Sequence, residues 1–113
     1  IKAAVATSAP LENADFILDG LNIRSYFQAI LHSADVERGK PDPEIYLKAA
    51  EALDEYAEDC IVIEDSISGV QAGKAAGAKV IAITTTHDAD EFGPVNLVIE
   101  DFKGLWVDDL LYL

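Results

Sequence analysis

The sequence predicts an α/β fold built on a parallel sheet with helices on both faces. Short apolar runs alternate along the chain with stretches of helical spacing, as is typical of parallel strands joined by helices. The apolar runs are continuous and do not alternate with polar residues, which is expected for strands buried on both faces. With 113 residues, half of them apolar, the chain is long enough for one domain with a core of its own.

The first half of the chain contains two strand candidates and two helix candidates. Ala3–Ala6 predicts a buried strand. Pro10 suits the first turn of a helix, which ends near Gly20. Ala29–Leu31 predicts a second short strand, and the rigid turn that follows leads into a second helix started by Pro43.

The second half repeats the pattern, with two further helices and three further strands. Ser66 or Ser68 caps a helix that ends at Gly77. A closing helix over 102–113 carries an apolar stripe, which includes Trp106 and is expected to cover the core. The strand candidates are, in chain order, Cys60–Ile63, Val80–Ile83 and Leu97–Ile99.

The composition narrows the choice of partners. Eight basic and 21 acidic residues give a net charge of −13, which repels nucleic-acid backbones and acidic membranes. No apolar run approaches the roughly 18 residues of a membrane span. The single cysteine, Cys60, favours a cytosolic setting. So acidic a chain can still bind a phosphorylated small molecule through a local positive site and a divalent cation.

Polar side chains follow two of the predicted strands at the edge where ligands bind in folds of this class. Thr7 and Ser8 follow the first strand and open a helix, whose N terminus favours anions. Lys40 precedes the next helix and offers a compact positive charge. Glu64 and Asp65 end the third strand and offer hard oxygen ligands for Mg²⁺. The set predicts a site for a phosphoryl group and Mg²⁺, and the ion offsets the cost of two adjacent carboxylates.

Each of these residues also has a plain structural explanation. Thr7 and Ser8 could simply cap a helix, Lys40 could be a solvated loop lysine, and Glu64 with Asp65 could begin a turn that faces water. The functional interpretation depends on their joint occurrence in this order, each beside a strand or helix end.

Three segments, VATSAP, GKPDPEIY and VIEDSISGVQAGKAAGAKVIAI, resemble the second, third and fourth motifs of the haloacid dehalogenase superfamily. The resemblance runs from Ala3 to at least Ile83, and is strongest to the branch with the beta-phosphoglucomutases and phosphoglycolate-phosphatase-like enzymes. It implies a Rossmann-like core in which Thr7 hydrogen-bonds the transferring phosphoryl group. Lys40 is then expected to neutralise that group and the attacking aspartate, while Asp65, with Glu64, holds Mg²⁺.

The first motif of that superfamily, Asp-x-Asp-Gly, does not occur in the sequence. In the family this motif supplies the nucleophile, an acid/base aspartate and a metal ligand, on a central strand followed by a cap domain. The resemblance therefore implies that residues 1–113 are the C-terminal part of such a core domain, with the missing N-terminal segment or cap as a partner. Without that strand, two halves of the sheet are expected to present open apolar edges.

The resemblance implies a Mg²⁺-dependent phosphatase or phosphomutase that acts on a small phosphorylated metabolite. The reaction is expected to pass through an aspartyl-phosphate whose nucleophile lies outside this chain, so that the chain alone is inactive. The alternative, from a different class, is a non-catalytic fragment or subunit that only binds phosphate, Mg²⁺ or a partner chain.

Overall fold

The computed structural model describes residues 1–113 as parallel strands flanked by helices, which confirms the predicted α/β class. None of its helices is both long enough and apolar enough to cross a membrane. Short 3₁₀ turns lie at Arg24–Tyr26, Ser33–Asp35, Ala57–Asp59 and Ala89–Phe92. The strands are β1 (Ala4–Ala6), β2 (Ala29–Leu31), β3 (Ile61–Glu64), β4 (Lys79–Ile83) and β5 (Leu97–Ile99), and the α-helices are α1 (Leu11–Gly20), α2 (Glu44–Ala52), α3 (Ile67–Ala75) and α4 (Val107–Leu111).

The strands form two separate parallel sheets. One has the order β1–β2 and the other the order β3–β4–β5. Strand β1 pairs only with β2, and β3 pairs only with β4. Strands β1 and β3 therefore each have one unpaired edge, as the sequence predicts. Ile63 of β3 is 40% exposed, which is high for an isoleucine inside a strand.

Two helices span the division between the sheets. Helix α2 packs against β1 and β2, α3 packs against β3 and β4, and the two helices contact each other. Their inward residues are almost fully buried, with Ile45 at 2% exposure and Val70 at 1%. Apolar burial under this helix pair therefore holds the two sheets side by side.

The larger sheet and α3 share the main core, formed by Val62, Val70, Val80, Ala82 and Phe92. Helix α3 lies close to the sheet because it presents a glycine there. A Cβ atom at Gly73 would lie 3.1 Å from Cγ1 of Val62 and 3.1 Å from Cγ2 of Val80. These distances are shorter than ordinary van der Waals contact.

The prediction for the C-terminal segment is wrong in two respects. Helix α4 covers only Val107–Leu111, and Trp106 and Phe102 are 74% and 59% exposed instead of covering the core. A turn at Gly104, whose φ is +75°, separates Phe102 from the helix. The Asp109 carboxylate then accepts a hydrogen bond from the Trp106 N–H and fixes the helix start one residue later.

We predict that Gly73→Ala lowers the free energy of unfolding by about 1 kcal/mol. The strain of the added methyl against Val62 and Val80, about 1–3 kcal/mol, exceeds the gain of roughly 1 kcal/mol that alanine has over glycine inside a helix. Urea denaturation followed by circular dichroism measures the change. Gly20→Ala in α1 is the matched control, since nothing lies within 4 Å of its Cβ position. An unchanged urea midpoint for Gly73→Ala would contradict the packing described here.

Candidate active site

A cleft of about 510 Å³ opens at the carboxyl ends of β1 and β3. In open α/β sheets ligands bind at the carboxyl ends of the strands, so the cleft lies at the position expected for a ligand site. All five residues singled out from the sequence, which come from three separate segments, line this one cleft. The lining residues are Ala6, Thr7, Ser8, Ala9, Lys40, Ile63, Glu64, Asp65, Ser66 and Ser68.

Lys40 is buried, not solvated, with 9% of its side chain exposed. Its Nζ lies 2.5 Å from Oε1 of Glu64 and 3.3 Å from the carbonyl oxygen of Ala6. A lysine ammonium has three N–H donors. Two are therefore engaged by the protein, and the third is available to an anion in the cleft.

Glu64 is the buried partner of that lysine, with 8% exposure. Its Oε1 accepts hydrogen bonds from Lys40 and from the hydroxyl of Tyr46. Its Oε2 accepts from the Ser66 hydroxyl at 3.1 Å and, at 3.4 Å, from the Ser66 N–H. Burial acts to raise the pKa of Glu64, but the hydrogen bonds from Lys40 and Tyr46 outweigh burial and hold the pKa below its ordinary value.

Gly69 lets the Glu64 carboxylate lie directly against the first turn of α3. A Cβ atom at Gly69 would lie 2.0 Å from Cδ of Glu64, so no other residue fits without displacing that carboxylate. The Ser66 hydroxyl completes the turn, because it also accepts a hydrogen bond from the Gly69 N–H at 3.0 Å. Of the two predicted caps for this helix, Ser66 is the one used.

Asp65 differs from its neighbour because no protein group donates a hydrogen bond to its carboxylate. It is half-buried in the cleft wall, and only its backbone carbonyl is bound, by the Thr86 hydroxyl at 3.0 Å. The chain contains no group of three or more carboxylate, histidine or cysteine side chains that could hold a metal. Mg²⁺ commonly takes only one or two protein carboxylates, with water and phosphate completing its ligands. The Asp65 carboxylate fits that requirement, while both oxygens of Glu64 are already engaged.

Thr7 and Ser8 reach the cleft from the end of β1, but they do not form a helix N terminus as predicted. Helix α1 begins at Leu11, and the Ala9 N–H already donates to the Thr7 hydroxyl oxygen at 3.1 Å. Pro10 precedes the helix in an extended conformation, and Ser8 and Ala9 form a bend before it. The Thr7 hydroxyl proton and the Ser8 N–H have no protein acceptor, so both remain available as donors.

Sequence reasoning overlooked Tyr46 and the contact between Gly69 and the Glu64 carboxylate. Tyr46 does not line the cleft, and its role depends on how α2 is turned towards β3, which the sequence pattern does not specify. The only available signal for Gly69 was its spacing, four residues after Asp65 at the start of a helix. His32 pairs with Asp35 at 3.3 Å and does not line the cleft.

Comparison with known proteins places the chain in a family. Residues 1–77 match the haloacid dehalogenase-like hydrolase family, a hydrolase family. A phosphorylated carbohydrates phosphatase of Thermotoga maritima is 46% identical over 81 residues, which cover 72% of this chain and 38% of that protein. The chloroplastic 5-amino-6-(5-phospho-D-ribitylamino)uracil phosphatase of Arabidopsis thaliana is 34% identical over 110 residues, covering 97% of this chain and 30% of that protein.

Solved structures agree with the sequence comparisons. The structure of a beta-phosphoglucomutase from Clostridium difficile superimposes with a TM-score of 0.86 at 28% identity, covering 99% of this chain and 48% of that one. The chain belongs to the haloacid dehalogenase-like hydrolase family, and its relatives include phosphatases and phosphomutases. It spans less than half the length of each of these three relatives.

We predict that Glu64→Ala destabilises the fold by about 3–5 kcal/mol, because it leaves the buried Lys40 ammonium without its counter-ion. Glu55→Ala is the matched control, since the Lys2–Glu55 pair is also a lysine–glutamate ion pair but is exposed. The control is expected to change stability by about 1 kcal/mol or less. Urea midpoints compare the two variants. Equal losses of stability would show that the buried ion pair contributes no more to stability than the exposed one.

The depressed pKa of Glu64 also predicts a pH dependence of stability. The folded-state pKa lies below the ordinary value of 4.5, so the unfolded chain binds more protons in this range. The stabilisation is therefore fully present above about pH 4.5 and is lost as pH falls through the folded-state pKa. Urea midpoints measured from pH 7 to pH 3 should fall less steeply for Glu64→Gln than for the parent chain. Parallel pH profiles would contradict this prediction.

Proposed function

We propose that the chain forms part of the catalytic core of a Mg²⁺-dependent phosphatase or phosphomutase that acts on a small phosphorylated metabolite. The observation that carries this proposal is the buried Lys40 ammonium, which keeps one N–H free in a cleft shared with Thr7 and Asp65. The phosphatases and the phosphomutase among the chain's relatives support the same class of chemistry.

The cleft offers three unused donors for the oxygens of a phosphoryl group. These are the third N–H of Lys40, the hydroxyl of Thr7 and the backbone N–H of Ser8. Donors that are already oriented stabilise the negative charge that develops during group transfer, and the charge-assisted bond from the lysine is the strongest of them. Lys40 and Thr7 are the proposed catalytic residues, and Ser8 is proposed to bind phosphate.

Asp65 is the proposed Mg²⁺ ligand, because its carboxylate faces the cleft without a protein donor. When bound, Mg²⁺ would neutralise phosphoryl charge and orient the group. Glu64, predicted from the sequence as a second ligand, is proposed to support the site through Lys40, since both of its oxygens accept protein hydrogen bonds.

The nucleophilic aspartate is proposed to lie outside these 113 residues, since Asp65 is the only aspartate that lines the cleft. The unpaired edges of β1 and β3 suit a further strand between them that would carry it, with a cap domain attached to that segment. Residues 1–113 would then be the C-terminal part of the core domain and inactive alone. The free thiol of Cys60 is compatible with the proposed cytosolic setting.

Turnover of a panel of sugar phosphates and other small phosphate monoesters tests the proposal in the protein at its full natural length. It is followed both as release of inorganic phosphate and as transfer of the phosphoryl group to another position of the substrate. We predict that Asp65→Asn and Lys40→Gln each lower kcat/KM by at least about a hundredfold. Chelation of Mg²⁺ with EDTA should abolish turnover. Asp59→Asn, at an exposed position away from the cleft, is the control and should retain full activity.

Turnover that survives both Asp65→Asn and Lys40→Gln would refute the proposed enzyme site. A second candidate function is favoured by the absence of Asp-x-Asp-Gly from the sequence. In that case the chain only binds phosphate, Mg²⁺ or a partner chain. The full-length protein would then bind inorganic phosphate but would neither hydrolyse nor isomerise any ester in the panel.

A further inference from the structure

Tyr46 contacts the site without lining the cleft. It lies in the first turn of α2, and its hydroxyl donates a hydrogen bond to Oε1 of Glu64. The centre of its ring lies 5.1 Å from Nζ of Lys40, within the range of a cation–π contact. Tyr46 therefore contacts both members of the buried ion pair and, since it is not part of the cleft wall, can act on a bound anion only through them.

The Glu64 carboxylate is held on several sides. Lys40 and Tyr46 both donate to Oε1, Ser66 donates to Oε2, and the backbone at Gly69 packs against the carboxylate carbon. Of these contacts, Tyr46 is the only side chain that touches the lysine as well as the carboxylate. Without the tyrosine hydroxyl, Oε1 accepts a hydrogen bond from the lysine alone. The carboxylate can then move together with the lysine, so the amine is no longer held in its position.

A lysine side chain is long and flexible, so the direction of its free N–H depends on what holds the amine. The Ala6 carbonyl supplies one contact and Glu64 Oε1 the other. The tyrosine fixes Oε1 and also limits where the ammonium can lie, because its ring lies beside the amine. Pre-orientation of this kind reduces the ordering required when an anion binds.

We propose that Tyr46 is a positioning residue for Lys40, which holds Glu64 Oε1 and the ammonium so that the free N–H points into the cleft. The proposal rests on the proposed function of Lys40 as the anion-binding group. Its structural part, the dependence of the lysine amine on the tyrosine hydroxyl, can be measured without any ligand.

The first test observes the Lys40 ammonium directly by ¹H–¹⁵N NMR of the 113-residue chain. We predict a resolved, slowly exchanging ammonium signal, because the amine is buried and hydrogen-bonded. Tyr46→Phe keeps the ring and removes only the hydroxyl, and should raise the exchange rate of this signal with water at least tenfold. Tyr26→Phe, whose side chain is 70% exposed, is the matched control and should leave the signal unchanged.

The second test measures the affinity of inorganic phosphate in the presence of Mg²⁺. Tyr46→Phe should weaken binding about tenfold in the parent chain, the effect expected for a hydrogen bond to a charged group. In the Lys40→Gln background, the same substitution should cause no further loss, since the tyrosine acts only through the lysine. Circular dichroism verifies that every variant remains folded.

The outcomes separate this inference from the proposed function. An ammonium signal that is unchanged in Tyr46→Phe overturns the positioning role, as does an equal loss of phosphate affinity in the parent and Lys40→Gln backgrounds. If the signal depends on the tyrosine but the chain and the full-length protein both fail to bind phosphate, the positioning of Lys40 stands and the proposed function fails.

Discussion

The buried ion pair between Lys40 and Glu64 connects parts of the molecule that the strands leave separate. The lysine amine bonds to Ala6 at the end of β1 and to Glu64 at the end of β3, and these two strands do not pair with each other. Removing two charges from water is costly, so such a pair is stable only when further hydrogen bonds satisfy its remaining atoms. Tyr46 from α2 and Ser66 from the start of α3 supply those bonds. One interaction therefore fixes the relative positions of both sheets and both central helices at the rim of the cleft.

The net charge of −13 does not determine the electrostatics of the cleft, because local groups dominate inside a partly buried site. Solvent and salt screen exposed carboxylates on the surface over about 8–10 Å. The Lys40 ammonium is screened much less, because its side chain is only 9% exposed where it lines the cleft. A negative overall charge repels a polyanion far more strongly than it repels a small anion.

The sequence was sufficient for the class of fold, for all five strands to within a residue of each end and for the convergence of the site residues. The strands are short and strongly apolar, and their carboxyl ends share one rim, so polar residues after each strand must meet there. The sequence was insufficient where tertiary contacts determine the extent of a helix or the partner of a side chain. The apolar stripe that includes Trp106 has helical spacing, yet the turn at Gly104 and the cap from Asp109 leave most of it outside a helix. Tyr46 looked like an ordinary helix residue because its partner, Glu64, lies 18 positions along the chain.

The adjacent carboxylates at the end of β3 have different environments because neighbouring side chains on a strand point in opposite directions. Glu64 points to the side of Val62, under α3, where it meets the lysine, the tyrosine and the helix cap. Asp65 follows at the turn, where it reaches the cleft with no protein donor. A carboxylate that accepts hydrogen bonds from a cation and from hydroxyls at both of its oxygens has little capacity left for a metal ion. Glu64 therefore could not act both as the counter-ion of the lysine and as an open ligand. Of the two consecutive residues, Glu64 is thus a fixed counter-charge for the lysine, and Asp65 presents a carboxylate without a protein donor to the cleft.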